Sequence, residues 1–187
     1  TGDPRKYINS SSSPIFKKRS ILYNMHRARK ALLNNGSKIL YLVEGQADAL
    51  TLYNSGVESV LAISGTAFTD EHMKEIEQFD LVVGCLDADL GGSRAARKIY
   101  TKYLEYTGKD LYLLQLPNGM DPDDYIRKYG VDSFLELEPI LPIEGEILNE
   151  YKVRGKLLAN YWLPRVSKVN AIYHSKILNT LSIIFEY

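Results

Sequence analysis

Six acids in this 187-residue chain stand where chemistry could be done: Glu44, Asp48, Asp87, Asp89, Asp121 and Asp123. Carboxylates crowded together repel one another unless a cation sits among them. A site built from carboxylates alone, without Cys or His, favours a hard cation such as Mg²⁺ or Mn²⁺. Ions held by few carboxylates keep positions open for phosphate oxygens. A pair of them could activate a 3′-hydroxyl and stabilise a leaving pyrophosphate, the chemistry of nucleotidyl transfer. The plainer reading stands beside this one, because a single Asp after a strand is ordinarily a turn or helix cap. Asp121 fits a cap whether or not it also meets a metal.

The acids matter jointly only if the elements around them bring them together. Lys38–Val43, Val57–Ile63, Leu81–Leu86 and Leu111–Leu116 are short apolar runs that read as strands. Between and after them, helical patterns cover Ala47–Asn54, Thr69–Phe79, Ser93–Tyr106 and a stretch from about Pro122. Thr69 is a plausible N-cap followed by Asp70 and Glu71; Asp121 caps a helix whose first residue is Pro122. Alternating β and α units predict an α/β fold, a mostly parallel sheet with helices on both faces. Ligands of such sheets bind beyond the C-terminal ends of the strands. Glu44 follows the first strand, Asp87 and Asp89 the third, and Asp121, Asp123 and Asp124 the fourth after a short loop; Asp48 lies one helical turn past Glu44. A phosphoacceptor receiver domain fits this bare pattern too.

Composition narrows the classes. Hydrophobic residues make up 45% and charged residues 25%, ordinary for a globular domain and too apolar for a disordered chain. No apolar run approaches the ~18–20 residues that span a bilayer, so no membrane association is expected. Cys85 is the single cysteine and the three histidines (His26, His72, His174) are scattered, so neither a disulfide nor a zinc site is expected; a reducing, cytoplasmic setting fits. The start, Thr1 to Lys6, is no signal peptide, and opening without Met it reads as a piece of a longer chain. The 23 basic and 23 acidic residues cancel, but unevenly. Residues 1–30 carry eight basic residues against one acid, net +7, and leave the rest at −7. A basic arm of that size argues for a polyanionic partner.

Five segments resemble a known family. Val43-Glu44-Gly45-Gln46-Ala47-Asp48, Ser64-Gly65-Thr66-Ala67-Phe68-Thr69 and Asp87-Ala88-Asp89-Leu90-Gly91-Gly92 are similar to the successive motifs of the Toprim domain, in the version of DnaG-type bacterial primases. Upstream, Lys6-Tyr7-Ile8-Asn9-Ser10, Pro14 to Lys18 and Leu22-Tyr23-Asn24 resemble the primase stretch before Toprim. Downstream, Leu116 to Asp124 resembles the loop with the last metal-binding acids. The resemblance implies that Glu44 is the catalytic glutamate and that Asp87 and Asp89 are a catalytic, metal-binding pair. It implies that Asp48, Asp121 and Asp123 share in binding two or more Mg²⁺ or Mn²⁺ ions. It places Lys6, Asn9, Lys18, Tyr23 and Gly45 at nucleotide- or nucleic-acid-binding positions; packing and backbone hydrogen bonds are the plain alternative for Asn9 and Tyr23. The chain departs from the family's usual pattern at Ala88 and Leu90, where Gly and a basic residue are customary; Arg94 is the candidate substitute for the missing charge.

The resemblance also implies an organisation and a function. Residues 1–36 form a basic segment and helix leading into Toprim, 37–130 the Toprim domain, and 131–187 a small helical bundle. The implied activity is a DNA-directed RNA polymerase that makes short RNA primers on single-stranded DNA from ribonucleoside triphosphates at the replication fork. The replicative helicase would bind through a domain absent here, as is the family's amino-terminal zinc module. The same acids would also suit a Toprim nuclease or topoisomerase-like strand cutter, or a non-catalytic nucleotide- or DNA-binding module. The basic segment over residues 5–23 argues against the strand cutter.

Overall fold

The computed structural model describes residues 13, 20–36, 38–64, 68–86, 90–155, 158, 162–163, 166 and 173–185. Four strands form its sheet: β1 (Ile39–Val43), β2 (Val60–Ala62), β3 (Leu81–Cys85) and β4 (Leu111–Leu113). All pairings are parallel and the spatial order is β2-β1-β3-β4. Leu42 stands opposite Leu61 on one side and Gly84 on the other; Val43 stands opposite Ala62 and Cys85. Short, nearly unbroken aliphatic runs suit strands covered on both faces.

Alternate side chains sort into two cores, as the pleat requires. On one face Leu40, Leu42, Leu61 and Val82 pack with residues of α1 (Met25–Asn35), α3 (Asp70–Ile76) and α4 (Leu90–Thr107). On the other, Val43, Val60, Val83 and Cys85 pack under α2 (Gln46–Asn54) and α5 (Pro122–Leu135). The parallel sheet and two-sided helical cover are those the alternating pattern predicts. α6 (Pro142–Arg154) and α7 (His174–Phe185) add to the first core through Ile143, Ile147, Ile177 and Leu181. α7 is tied down by Lys176, whose ammonium donates to the Tyr100 hydroxyl (2.8 Å) and to Asp110.

Two local differences from the sequence reading have physical causes. The pattern over residues 20–35 reads as one helix, yet α1 begins only at Met25. Tyr23 instead bridges antiparallel to Ala62, with N–H···O distances of 3.0 and 3.2 Å, and extends the sheet edge by one rung. Asn24 then takes a left-handed conformation (φ 72°) while its buried side-chain amide donates to the Val60 carbonyl at 3.0 Å. That long-range bond offsets the cost of positive φ, and no local periodicity announces it. β4, predicted to Leu116, ends at Leu113, which pairs on its outer side with Ile140. The caps follow expectation: the Thr69 hydroxyl accepts from the His72 N–H, and the Asp121 carboxylate from the Asp124 N–H.

Candidate functional site

The strand order creates the crevice. The chain runs from β1 to β2 on one side and then returns across β1 to β3 on the other, so the connections leave β1 and β3 in opposite directions. Their C-terminal ends form the topological switch point where ligands of open α/β sheets bind. Glu44 is the residue after β1 and lies exposed at that rim. Its carbonyl accepts from the Ser64 N–H (2.9 Å), so the exits of β1 and β2 are tied together. The Gln46 side-chain amide donates to the Ser64 hydroxyl at 3.3 Å and adds a second tie.

α2 starts at this rim and carries Asp48 back to its own cap. Gly45 is the N-cap, and its N–H donates to Asp48 Oδ2 at 3.2 Å. A Cβ on Gly45 would sit 2.7 Å from that oxygen. Its φ of −97° suits any residue, so the lack of a side chain, and not backbone freedom, is what the position uses. Asp48 also receives the backbone N–H of Asp123. Despite these donors its carboxyl is pushed up to about 6, first by burial and then by the Asp121 carboxylate, with Asp123 adding to the effect. Asp48 is likewise near enough to Cys85, the last residue of β3, to help raise its thiol, which burial raises most.

α5 packs beside α2 and delivers the other described acids. Asp121 Oδ1 accepts from the Asp124 N–H at 2.8 Å, so one oxygen is spent on capping. Asp123 is held on both sides: Thr51 of α2 donates its hydroxyl to Oδ1, and Arg127 Nε is 2.9 Å from each carboxylate oxygen. Arg127 and then Thr51 hold the Asp123 carboxyl below its ordinary value. Two neighbouring acids are thus displaced in opposite directions, one by crowding and burial, the other by a cation and a hydroxyl.

The structure therefore brings Asp48, Asp121 and Asp123 together, with Glu44 one turn ahead of Asp48. Among the described residues no three acids, His or Cys converge closely enough to hold an ion by themselves. Asp87, Asp89, Lys6, Asn9 and Lys18 lie outside the described residues. Tyr23 is half-buried, with its backbone in the bridge to Ala62 and its ring against the second core. Thr51 and Arg127 escaped the sequence reading. The i,i+4 spacing of Asp123 and Arg127 on a helix could have flagged one of them; Thr51 is 72 positions away and left no signal. The donor set is all oxygen, the type a hard divalent cation takes, and the neighbouring acids raise the affinity of Asp48 for positive charge.

Asp48 gives a test of that crowding in the cation-free chain. Its folded pKa lies above the unfolded value near 3.9, so stability is lost as pH rises from about 4 to about 6, and the cost is complete above that interval and absent below it. Asp48→Asn is expected to raise the melting temperature at pH 8 by about 3 °C and to leave it nearly unchanged at about pH 3.5, below the unfolded pKa, read by circular dichroism in EDTA. An equal effect at both pH values would show that the carboxylate is not under electrostatic strain.

A Toprim-like family model matches residues 41–126, the span from β1 to the first turns of α5. A DNA primase of Staphylococcus aureus is 40% identical over 135 residues, 72% of this chain and 22% of that protein. The chain thus spans about a fifth of the length of the curated relatives it matches. The RNA polymerase domain of Mycobacterium tuberculosis primase DnaG superposes with a TM-score of 0.76 over 97% of this chain and 62% of that chain, at 22% identity, a likeness of fold. A DnaG primase catalytic domain bound to single-stranded DNA gives a TM-score of 0.69 at 28% identity, over 97% of this chain and 62% of that one.

Sheet order, rim and family match together define a Toprim-like α/β domain. Within that class the chain is similar to the DnaG-type DNA primases, over the Toprim-containing part of their catalytic region.

Proposed function

We propose that this chain is the Toprim part of a primase polymerase domain, which makes short RNA primers on single-stranded DNA from ribonucleoside triphosphates. The observation that carries the reading is the switch point between β1 and β3, with Glu44 and Asp48 at its rim and α5 bringing Asp121 and Asp123 against α2. Glu44, Asp48, Asp87, Asp89, Asp121 and Asp123 would hold two or more Mg²⁺ or Mn²⁺ ions. When bound, such ions supply Lewis-acid activation of a 3′-hydroxyl and neutralise charge on the departing pyrophosphate. The protein's own work is positioning: Gly45 and the Asp123 N–H orient Asp48, the Asp124 N–H orients Asp121, and Ser64 fixes the backbone at Glu44. Lys6, Asn9, Lys18, Tyr23 and Gly45 would face nucleotide or nucleic acid.

The single-stranded DNA in a relative's structure supports a template of that kind here. The division into a segment at 1–36, Toprim at 37–130 and a helical part at 131–187 belongs to the same reading. So do a replicative helicase as partner of the parent protein, through a domain outside this chain, and a place at the cytoplasmic replisome. Among the described residues no helix is long and apolar enough to cross a membrane.

The test uses the intact parent protein and two assays on the same preparation. Ribonucleotide incorporation on single-stranded DNA is expected, without nicking of supercoiled DNA; metal-dependent nicking without primer synthesis would replace this reading by that of a strand-cutting enzyme. In the chain itself, Asp87→Ala is expected to abolish Mn²⁺ binding measured by titration calorimetry. An unchanged isotherm would remove Asp87 from the site.

A further inference from the structure

Asp123 and its partners are unlike one another in exposure. The Asp123 side chain is only 24% exposed, whereas Arg127, which straddles both its oxygens, is 71% exposed. Thr51 reaches the same carboxylate from α2, across the packed α2–α5 contact, and is part-buried. A partly exposed carboxylate gains only a modest amount from a countercharge, because solvent screens the pair. Here the countercharge is on a long, solvated arm that can leave at little cost, while the hydroxyl is on a rigid helix. A surface ion pair is weak and its lysine or arginine retains much of its freedom.

We propose that Arg127 is a displaceable counter-ion: its guanidinium occupies Asp123 in the cation-free protein and yields both oxygens to a divalent cation, while Thr51 keeps the carboxylate aimed. This rests on the reading of Asp123 as a metal ligand. The chemistry follows from lone pairs. Nε sits 2.9 Å from both oxygens and the Thr51 hydroxyl adds to Oδ1, so a cation approaching Asp123 meets a like charge that is relieved when the guanidinium swings away. Arg127 thus protects a semi-buried acid before loading, and it sets the cation concentration at which loading occurs. The exchange keeps the charge facing Asp123 positive throughout.

The experiment is Mn²⁺ binding to the 187-residue chain, followed by the free-ion paramagnetic resonance signal. Arg127→Met is expected to bind Mn²⁺ about two- to five-fold more tightly than wild type, the size of effect a solvent-screened ion pair allows. In an Asp123→Asn background the same substitution should change nothing. Equal or weaker binding by Arg127→Met, beside a wild type that binds, overturns the inference alone. A gain that persists with Asp123→Asn also overturns it, since Arg127 would then act by diffuse charge and not through that carboxylate. A wild-type chain that binds no Mn²⁺ overturns the metal reading and this inference together. Arg127 is exposed, so Arg127→Met is expected to melt like wild type, and circular dichroism checks this.

Discussion

Glu44→Gln should lower primer synthesis by the intact parent protein at least ~100-fold while leaving the domain's stability unchanged. The large first effect rests on the proposed role. Glu44 follows β1, a central strand, and stands at the switch point, and loss of a carboxylate that would hold a charge-neutralising cation there is expected to cost ~10²–10³ in rate. The small second effect comes from exposure: the side chain lies outside both cores, and exposed substitutions stay within ~0.5 kcal/mol. Gln keeps the shape and loses the charge, so the backbone tie from Ser64 to the Glu44 carbonyl is preserved. Incorporation of labelled ribonucleotide, paired with a urea titration, separates the two effects. Activity within tenfold of wild type, with an unchanged urea midpoint, would take the catalytic role away from Glu44.

Phe134→Ala should cost about 3–5 kcal/mol, a large share of the ~5–15 kcal/mol that holds a typical domain together. Phe134 has no exposed surface; its ring lies 5.5 Å from that of Tyr41 on β1 and 6.2 Å, edge-on, from that of Tyr125. It can reach the sheet because α5 is broken at Gly130, whose φ of 83° strains any residue with a side chain. The stretch after the break turns back and pins the end of α5, so the helix bearing Asp121 and Asp123 is clamped at both ends: by Phe134 at one and by the Thr51–Asp123 contact at the other. Urea denaturation should show a strongly lowered midpoint. A loss under ~1 kcal/mol would mean that the tail of α5 does not anchor it. The anchoring role also predicts weaker Mn²⁺ binding in this variant at low urea, where the fold persists.

Much of this was legible from local residue patterns. The four strands were visible as aliphatic runs bounded by Gly, Asp and Asn, because a strand buried on both faces must be apolar along its length. The helix starts at Thr69 and Asp121 were visible because N–H groups at a helix end need an acceptor and few residue types supply one. The start of α1 was not legible, because a bond from Asn24 to Val60, 36 positions away, outweighs local helix preference. The candidate acids were visible as carboxylates placed after strands. Their grouping was not, since sequence position does not say which strands are neighbours.

The opening acids show where the division falls. The sequence by itself determined the chemistry available: oxygen donors only, no cysteine or histidine cluster, and a basic arm before an acidic body. The tertiary structure decided which acids share a field. Strand order made β1 and β3 neighbours, so Asp48 acts on Cys85 at the end of β3; helix packing set α5 beside α2, so Asp121 and Asp123 raise the Asp48 carboxyl. It also decided that Asp123, though an acid among acids, is already matched by Arg127 and Thr51. Residue type fixes what a group can bind and is written in the chain. Electrostatic coupling falls with distance and rises with burial, and only the folded chain sets either one.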